Sequence, residues 1–285
     1  MQAGTTAPTL THKDFKSTLK PIWCPGCGDF GVLQAIYRAL AAIGRPPHEI
    51  AFISGIGCSS RIPGYTTAYG FNSVHGRALP IAQGLKMARP ELLVLAAGGD
   101  GDGFSIGGGY LPHAIRRNQD ITYIVMDNEI YGLTKGQPSP TSPLGMKRKA
   151  SPYGTTDEPV NSVAMVLCYG ASFVARGFSS RPRELAEIVK RGLQHEGFSY
   201  IEVISPCVTF HDTYGLYKEL TTPLPESHDP SDRTAAVVLA LETGVKHLGV
   251  FYEDARSSHH AQIERLREKS GGESSLEDVM ARFYR

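Results

Sequence analysis

GGDGDGFSIGGG, residues 98–109, sits between the apolar run LLVLAAGG (92–99) and the segment GGGYLPHAIRRN (107–118). The run reads as a buried strand. The segment reads as a helix starting near Gly107, with its arginines near the C-terminal end where they suit the dipole. A glycine-rich turn from strand into helix marks the carboxyl edge of a parallel sheet, where open α/β folds bind ligands. Glycines let backbone N–H groups approach phosphate oxygens, and a helix N-terminus adds a favourable dipole. The spacing matches neither G-x-G-x-x-G nor a P-loop, because no G-K-[ST] follows. Two aspartates here, Asp100 and Asp102, would repel a bare phosphate, and a divalent cation between carboxylate and phosphate resolves that conflict. The next strand, ITYIVMDN (121–128), brings Asn128 with its amide oxygen to the same edge.

Outward from this loop, apolar runs alternate with amphipathic stretches. FGVLQAIYRALAA (30–42) has helical spacing and a stop at Gly44; IAFISG (50–55) is a strand; Ile81 to Ala88 form a helix closed by Pro90. NSVAMVLCYGA, FVARG, RPRELAEIVKRGLQHEG and SYIEVISPC continue the alternation. Continuous apolar strands between helices imply an α/β fold, a parallel sheet with helices on both faces. Residues 20–210 are expected to form this domain. Residues 1–19, mixing Thr, Pro and Lys, read as a mobile arm. Residues 211–285 read as an irregular and helical C-terminal extension, suited to subunit contact, with helical patterns in HHAQIERLREK and SLEDVMARFYR.

With 285 residues and a net charge of +1, nothing points to nucleic acid or an anionic membrane as partner. The longest apolar run, LLVLAA (92–97), is too short to span a bilayer, and the first residues lack the order of a secretory signal. Five scattered cysteines argue against a disulfide framework and for a reducing cytoplasm.

Four of those cysteines stand beside loop-forming residues: Cys24 and Cys27 in WCPGCGDFG (23–31), Cys58 in GIGCSSR and Cys207 in SPCVTF. Cys168 lies in the apolar pattern AMVLCYG and reads as a buried core residue. A thioredoxin-like dithiol would leave Cys58 and Cys207 unexplained. Structural zinc fits four thiolates, although zinc ribbons usually pair two close C-x-x-C units. One pair joined by two distant singletons assembles only after the large domain folds, which favours a [4Fe–4S] cluster while leaving zinc open.

GDG (99–101), twenty-five residues, then DN (127–128) resembles the thiamine diphosphate motif of decarboxylating and ligating enzymes. That resemblance implies Mg²⁺ held by Asp100, Asn128 and the carbonyl of Ile130. WCPGCGDFG, GIGCSSR, HGR, GDGD, DNEIYGLTKGQ and SPC follow one another as in β subunits of 2-oxoacid:ferredoxin oxidoreductases, over about residues 20–215. The family likeness implies a [4Fe–4S] cluster on Cys24, Cys27, Cys58 and Cys207. It also implies thiamine diphosphate contacts at Ile56, Gly57, Cys58, Ser59, His75, Gly101, Asp102, Gly132 and Leu133. The implied reaction is coenzyme A-dependent oxidative decarboxylation of a 2-oxoacid, with electrons passed to ferredoxin; run in reverse, it fixes CO₂.

Arg61 and Lys135 are candidates for a substrate carboxylate, and two cations fit a dicarboxylate such as 2-oxoglutarate. Pyruvate is the alternative substrate, and a non-redox thiamine diphosphate decarboxylase or carboligase with structural zinc the alternative enzyme. No glutamate of this chain stands where the coenzyme's activating glutamate is expected, and Glu129 is placed beside the diphosphate. The resemblance therefore implies a separate α (or fused γ/α) subunit in an (αβ)₂ assembly. The chain alone is expected to give no 2-oxoacid-dependent reduction of ferredoxin. Turnover assays with and without the partner polypeptide check this.

Overall fold

The computed structural model describes residues 10–270 and 275–284. In chain order its main elements begin with α1 (Asp29–Ile43), β1 (Ile50–Ser54), α2 (Ile62–Tyr65), β2 (Tyr69–Asn72), α3 (Ala78–Ala88) and β3 (Leu93–Gly99). There follow α4 (Asp100–Phe104), α5 (Leu111–Arg117), β4 (Ile121–Asp127), the short hairpin β5 (Ile130–Tyr131) and β6 (Gln137–Pro138), and α6 (Ser162–Tyr169). Then come β7 (Phe173–Phe178), α7 (Pro182–Gln194), β8 (Phe198–Ile204), α8 (Tyr214–Leu220), β9 (Thr221–Pro223), α9 (Arg233–Leu241), β10 (Lys246–Glu253), α10 (His259–Lys269) and α11 (Leu276–Phe283).

Eight strands form one sheet in the order β2-β1-β3-β4-β8-β7-β10-β9. From β2 to β7 every pairing is parallel. Parallel strands need crossover connections, so helices cover both faces and the strands are apolar on both sides. Leu95 and Ala97 of β3 face a cluster built on Val32, Ile36 and Leu40 of α1 and on Leu185 and Val189 of α7. Val94 and Ala96 face the opposite cluster, with Leu79, Leu111, Val163 and Ala236. Among the described residues no helix is long and apolar enough to cross a membrane.

Three sequence expectations change. The stretch after residue 211 is helical in part, but β10 also joins the main sheet, antiparallel to β7. Its register shifts between Val250 and Tyr252, and Gly249 interrupts it, so the period-two signal of a strand is blurred. Residues 10–19 are not a loose arm: Phe15 is fully buried in the α1-side core, and Lys16 bridges to Thr66. Residues 1–9 lie outside the described residues. Cys168 is exposed rather than buried. Val163, Val166 and Leu167 take the core side of α6, and the next residue turns to solvent beside the exposed Tyr169.

One polar pair spans the core. Arg176 of β7 and Glu202 of β8 are register partners, and the Arg176 Nε–H donates to Glu202. The Ser162 hydroxyl donates to the other Glu202 oxygen. Burial alone would raise the Glu202 carboxyl, yet the Arg176, Lys246 and Ser162 interactions bring it below its ordinary value. Removing one partner would strand the other inside the fold. Glu202→Leu is expected to cost about 3 kcal/mol or more, while Glu202→Leu with Arg176→Met recovers most of that loss. Urea unfolding of the two variants checks this.

Candidate functional site

The carboxyl ends of β1, β3 and β4 open into a cavity of about 460 Å³ lined by Asp29, Cys58, Asp100, Asn128 and Gly132 among others. The quoted glycine–aspartate stretch shapes it differently from expectation. β3 runs on to Gly99, and DGDGF forms the single helical turn α4, with Asp100 and Asp102 in its first turn. Carboxylates there face the positive end of the backbone dipoles. The expected helix at 107–118 splits into a 3₁₀ turn over Ile106–Tyr110 and α5.

Asp100 is 1% exposed, and its Oδ2 accepts from the Thr141 hydroxyl at 2.8 Å. Asn128 Oδ1 accepts from the Ile130 N–H at 3.1 Å, which folds the chain so that Asp100, Asn128 and Ile130 come to one cavity. The turn puts Glu129 in a left-handed conformation (φ 59°) and sends its side chain away from the cavity. There Glu129 meets His211 Nε2 at 3.1 Å and the Tyr217 hydroxyl. Glu129 is thus not beside the expected diphosphate site.

Asp102 ties three segments together. Its Oδ1 accepts from the Ile56 N–H at 2.8 Å and the Gly76 N–H at 2.7 Å, and His75 Nδ1 lies 3.2 Å away. The Tyr131 hydroxyl donates to the Gly101 carbonyl at 3.2 Å. Ile56, Gly57, Ser59, His75, Gly101, Asp102 and Leu133 all line the cavity, as the sequence places them. Arg61 and Lys135 are not among its lining residues. Arg61 follows Cys58 and draws that thiol's pKa down slightly, and Lys135 occupies an exposed left-handed turn (φ 76°) just past the rim.

The four cysteines come from three sheet-edge loops. Trp23 anchors the first, its indole N–H donating to the Cys58 carbonyl at 2.9 Å and its ring set edge-on to Phe30 and Tyr65. A turn closed by Cys27 N–H on the Cys24 carbonyl, with Gly26 at φ 85°, brings that pair together. Cys27 feels the charges of Cys58 and Cys207, and Cys58 those of Cys207 and Cys24, so all four form one constellation. All are free thiols. Burial, aided by the Asp29 carboxylate, pushes Cys58 up to about 12 and Cys27 higher still. Thiols in such a setting need an external cation to become ligands.

Several features fit bound cofactors. Ser59 Oγ, Asp29 Oδ2 and Asp102 Oδ2 are buried polar atoms with no hydrogen-bond partner among the described residues, and all three residues line this cavity. A Cβ on Gly132 would stand 3.5 Å from Cys207 Sγ and 3.9 Å from Cys58 Sγ, in ordinary contact, which puts this stretch of the cavity wall beside the thiols. Asp100, Asn128 and the Ile130 carbonyl supply the hard oxygen donors that Mg²⁺ takes.

Sequence reasoning missed Asp29 and Thr141. Asp29, 1% exposed, accepts from Ser205 Oγ at 2.8 Å, and burial pushes its carboxyl up to about 6. An acid directly following C-x-x-C-G at a helix start was its only signal. Thr141 lies in SPTSP (139–143), a segment with no helix or strand pattern. Its hydroxyl stands 2.8 Å from both Asp100 Oδ2 and Asp127 Oδ1. One hydroxyl proton serves one of them, and burial and the neighbouring Asp100 carboxylate raise Asp127 well above its ordinary value.

Comparison with known proteins agrees with this geometry. The family model "Thiamine pyrophosphate enzyme, C-terminal TPP binding domain" matches residues 55–203. A second model, for the C terminal of the pyruvate ferredoxin oxidoreductase beta subunit, matches residues 207–268. The fold and its Asp–Asn turn thus define a thiamine diphosphate-binding domain. A β subunit of a 2-oxoacid:ferredoxin oxidoreductase from Aeropyrum pernix is 38% identical over 89% of this chain and 87% of its own. The 2-oxoglutarate oxidoreductase subunit KorB of Mycobacterium tuberculosis is 47% identical over 73% of this chain, a stretch spanning 56% of that relative. In structure the chain matches 2-oxoglutarate:ferredoxin oxidoreductase from Magnetococcus marinus, solved with 2-oxoglutarate, coenzyme A and succinyl-CoA bound. The TM-score is 0.94, with 44% identity and 97% of each chain covered. The chain belongs to the β subunits of the 2-oxoacid:ferredoxin oxidoreductases.

The buried carboxyls set a pH dependence. Burial raises Asp100 from 3.8 to about 6 in the cofactor-free chain. A carboxyl raised on folding favours the folded state below its unfolded pKa, and that contribution is lost as pH rises through about 6. A cation on Asp100 needs the ionised form and releases a proton below that value. Mg²⁺–thiamine diphosphate is therefore expected to bind the assembled, cofactor-stripped enzyme more weakly at pH 5.5 than at 7.5. Calorimetry in two buffers of different ionisation enthalpy reads both the affinity and the proton release.

Proposed function

We propose that this chain is the β subunit of a coenzyme A-dependent 2-oxoglutarate:ferredoxin oxidoreductase, interconverting 2-oxoglutarate with succinyl-CoA and CO₂. The observation that carries this reading is the meeting of two sites in one cavity. Cys58, Asp100, Asn128, Ile130 and Gly132 line it together, and a Cβ built on Gly132 would stand 3.5 Å from Cys207 Sγ and 3.9 Å from Cys58 Sγ. In this reading Cys24, Cys27, Cys58 and Cys207 hold a [4Fe–4S] cluster, and Asp100, Asn128 and the Ile130 carbonyl hold Mg²⁺. When bound, thiamine diphosphate supplies a carbanion and electron sink for loss of CO₂, and the cluster takes electrons singly for ferredoxin.

The protein's own contribution is placement. Ser59 Oγ, buried and unpartnered among the described residues, is available to a diphosphate oxygen, and Asp102 holds Ile56 and His75 in position around it. Among the described residues no three His, Cys, Asp or Glu side chains gather tightly enough for a single metal ion. Among the described residues no glutamate lines the cavity, which supports an activating glutamate from an α (or fused γ/α) subunit, in an (αβ)₂ assembly. Arg61 and Lys135, just outside the cavity wall, remain the candidates for the distal carboxylate of 2-oxoglutarate. The chain's free thiols suit a cytoplasmic enzyme with ferredoxin as acceptor.

Anaerobic purification of the enzyme with its partner tests the reading. A brown protein with about four irons per β chain that reduces ferredoxin with 2-oxoglutarate and coenzyme A supports it. Colourless protein containing zinc overturns the redox assignment, and turnover with pyruvate alone overturns the substrate. Cys24→Ser is expected to lose most of the iron, whereas Cys168→Ser keeps it; iron analysis and electron paramagnetic resonance distinguish the two.

A further inference from the structure

The loop after β6 closes over the back of the Asp100–Asn128 turn with buried hydroxyls. Thr141 and Ser142 are 6% and 3% exposed. Ser142 Oγ donates to the Glu129 carbonyl at 2.5 Å and accepts from the Ser139 N–H at 2.8 Å, so the loop is locked to the turn it covers. Thr141 Oγ1 reaches Asp100 Oδ2, at the end of β3, and Asp127 Oδ1, at the end of β4, each at 2.8 Å. One side chain thus fixes the separation of the two strand ends that carry the candidate cation ligands.

We propose that Thr141 is a positioning residue for the cation held by Asp100 and Asn128. Its hydroxyl occupies Asp100 Oδ2 and fixes the carboxylate's rotation, leaving Oδ1, which the Asn128 N–H approaches only to 3.5 Å, for the metal. Hydrogen bonds behind a ligating carboxylate orient it, and losing one typically weakens metal binding 10- to 100-fold. The Asp100 carboxyl and the Thr141 hydroxyl are both buried, where a hydrogen bond is strong and not readily replaced by water. Thr141 touches neither coenzyme nor substrate in this arrangement; it acts through Asp100. The inference rests on the reading that Asp100 holds Mg²⁺.

Thr141→Val keeps the side chain's shape and deletes the hydroxyl; Thr141→Ser keeps the hydroxyl and deletes the methyl. The assembled enzyme, stripped of thiamine diphosphate and magnesium, is titrated with Mg²⁺ by calorimetry at saturating thiamine diphosphate. Thr141→Val is expected to weaken Mg²⁺ binding by about 10- to 100-fold, with iron content and unfolding midpoint close to the parent. Thr141→Ser is expected to bind Mg²⁺ within a few-fold of the parent. Unchanged affinity in Thr141→Val overturns the inference, and so does an equal loss in Thr141→Ser, which would assign the effect to packing. Where Thr141→Val does not assemble, Thr141→Ala is read against Thr141→Ser by the same criteria. Asp100→Ala separates the two levels: if it binds Mg²⁺ like the parent, the assignment of Asp100 falls. If it loses binding while Thr141→Val does not, only the role of Thr141 falls.

Discussion

Burial of negative charge without a protein cation is the constraint on which this structure depends. Asp29, Asp100 and Asp102 are all nearly inaccessible and line one cavity together with Cys58, while among the described residues no lysine or arginine lines it. Desolvation raises all three carboxyls and the flanking thiols. Such an arrangement is costly in a folded chain unless charge of opposite sign arrives from outside. The donors available to such a charge are of two kinds, hard oxygens at Asp100 and Asn128 and soft sulfurs at Cys58 and Cys207. A site of this composition stores a preference for its cofactors in the fold itself.

The sheet determines how residues so far apart in sequence meet. Cys58 follows β1, Asp100 follows β3, Asn128 follows β4 and Cys207 follows β8, and these strands lie side by side in the order β1-β3-β4-β8. In a parallel sheet all their carboxyl ends open on one edge, so spacing along the chain is set by the crossover helices. Cys24 and Cys27 come from the segment that enters α1, docked on the same edge by the Gly28 N–H on the Pro206 carbonyl. Residues beyond 211 complete the support: the Tyr214 hydroxyl donates to the Gly26 carbonyl at 3.1 Å, and Tyr217 holds Glu129. The chain beyond residue 211 therefore shapes the site as well as extending the sheet.

Much of this was legible in the sequence because the information was local. Strands β1, β3 and β4 announce themselves as apolar runs, and GDG followed by DN resembles a thiamine diphosphate motif closely enough to point to the family. What stayed hidden depends on contacts between distant segments. Nothing in KHLGVFYE states that β10 pairs with β7, because the bulge and glycine break its period. The exposure of Cys168 depends on which side of α6 the sheet takes, which an all-apolar helix does not reveal. Thr141 carries no signature at all, since a hydroxyl in a proline-flanked loop reads as a turn until its carboxylate partners are seen. The turn at Glu129 was misplaced for a similar reason: only its left-handed backbone, φ 59°, decides which way the side chain leaves.

Gly132 shows how closely the two halves of the site are coupled. A Cβ built on it would be in ordinary contact with the Cys207 and Cys58 thiols and about 4.0 Å from the Asn128 amide, and it directly follows the hairpin strand Ile130–Tyr131. The hydroxyl loop behind Asp100 limits movement from the opposite side, through Thr141 on the strand ends and Ser142 on the Glu129 carbonyl. Held from both sides, the turn has little freedom to drift when a cofactor leaves.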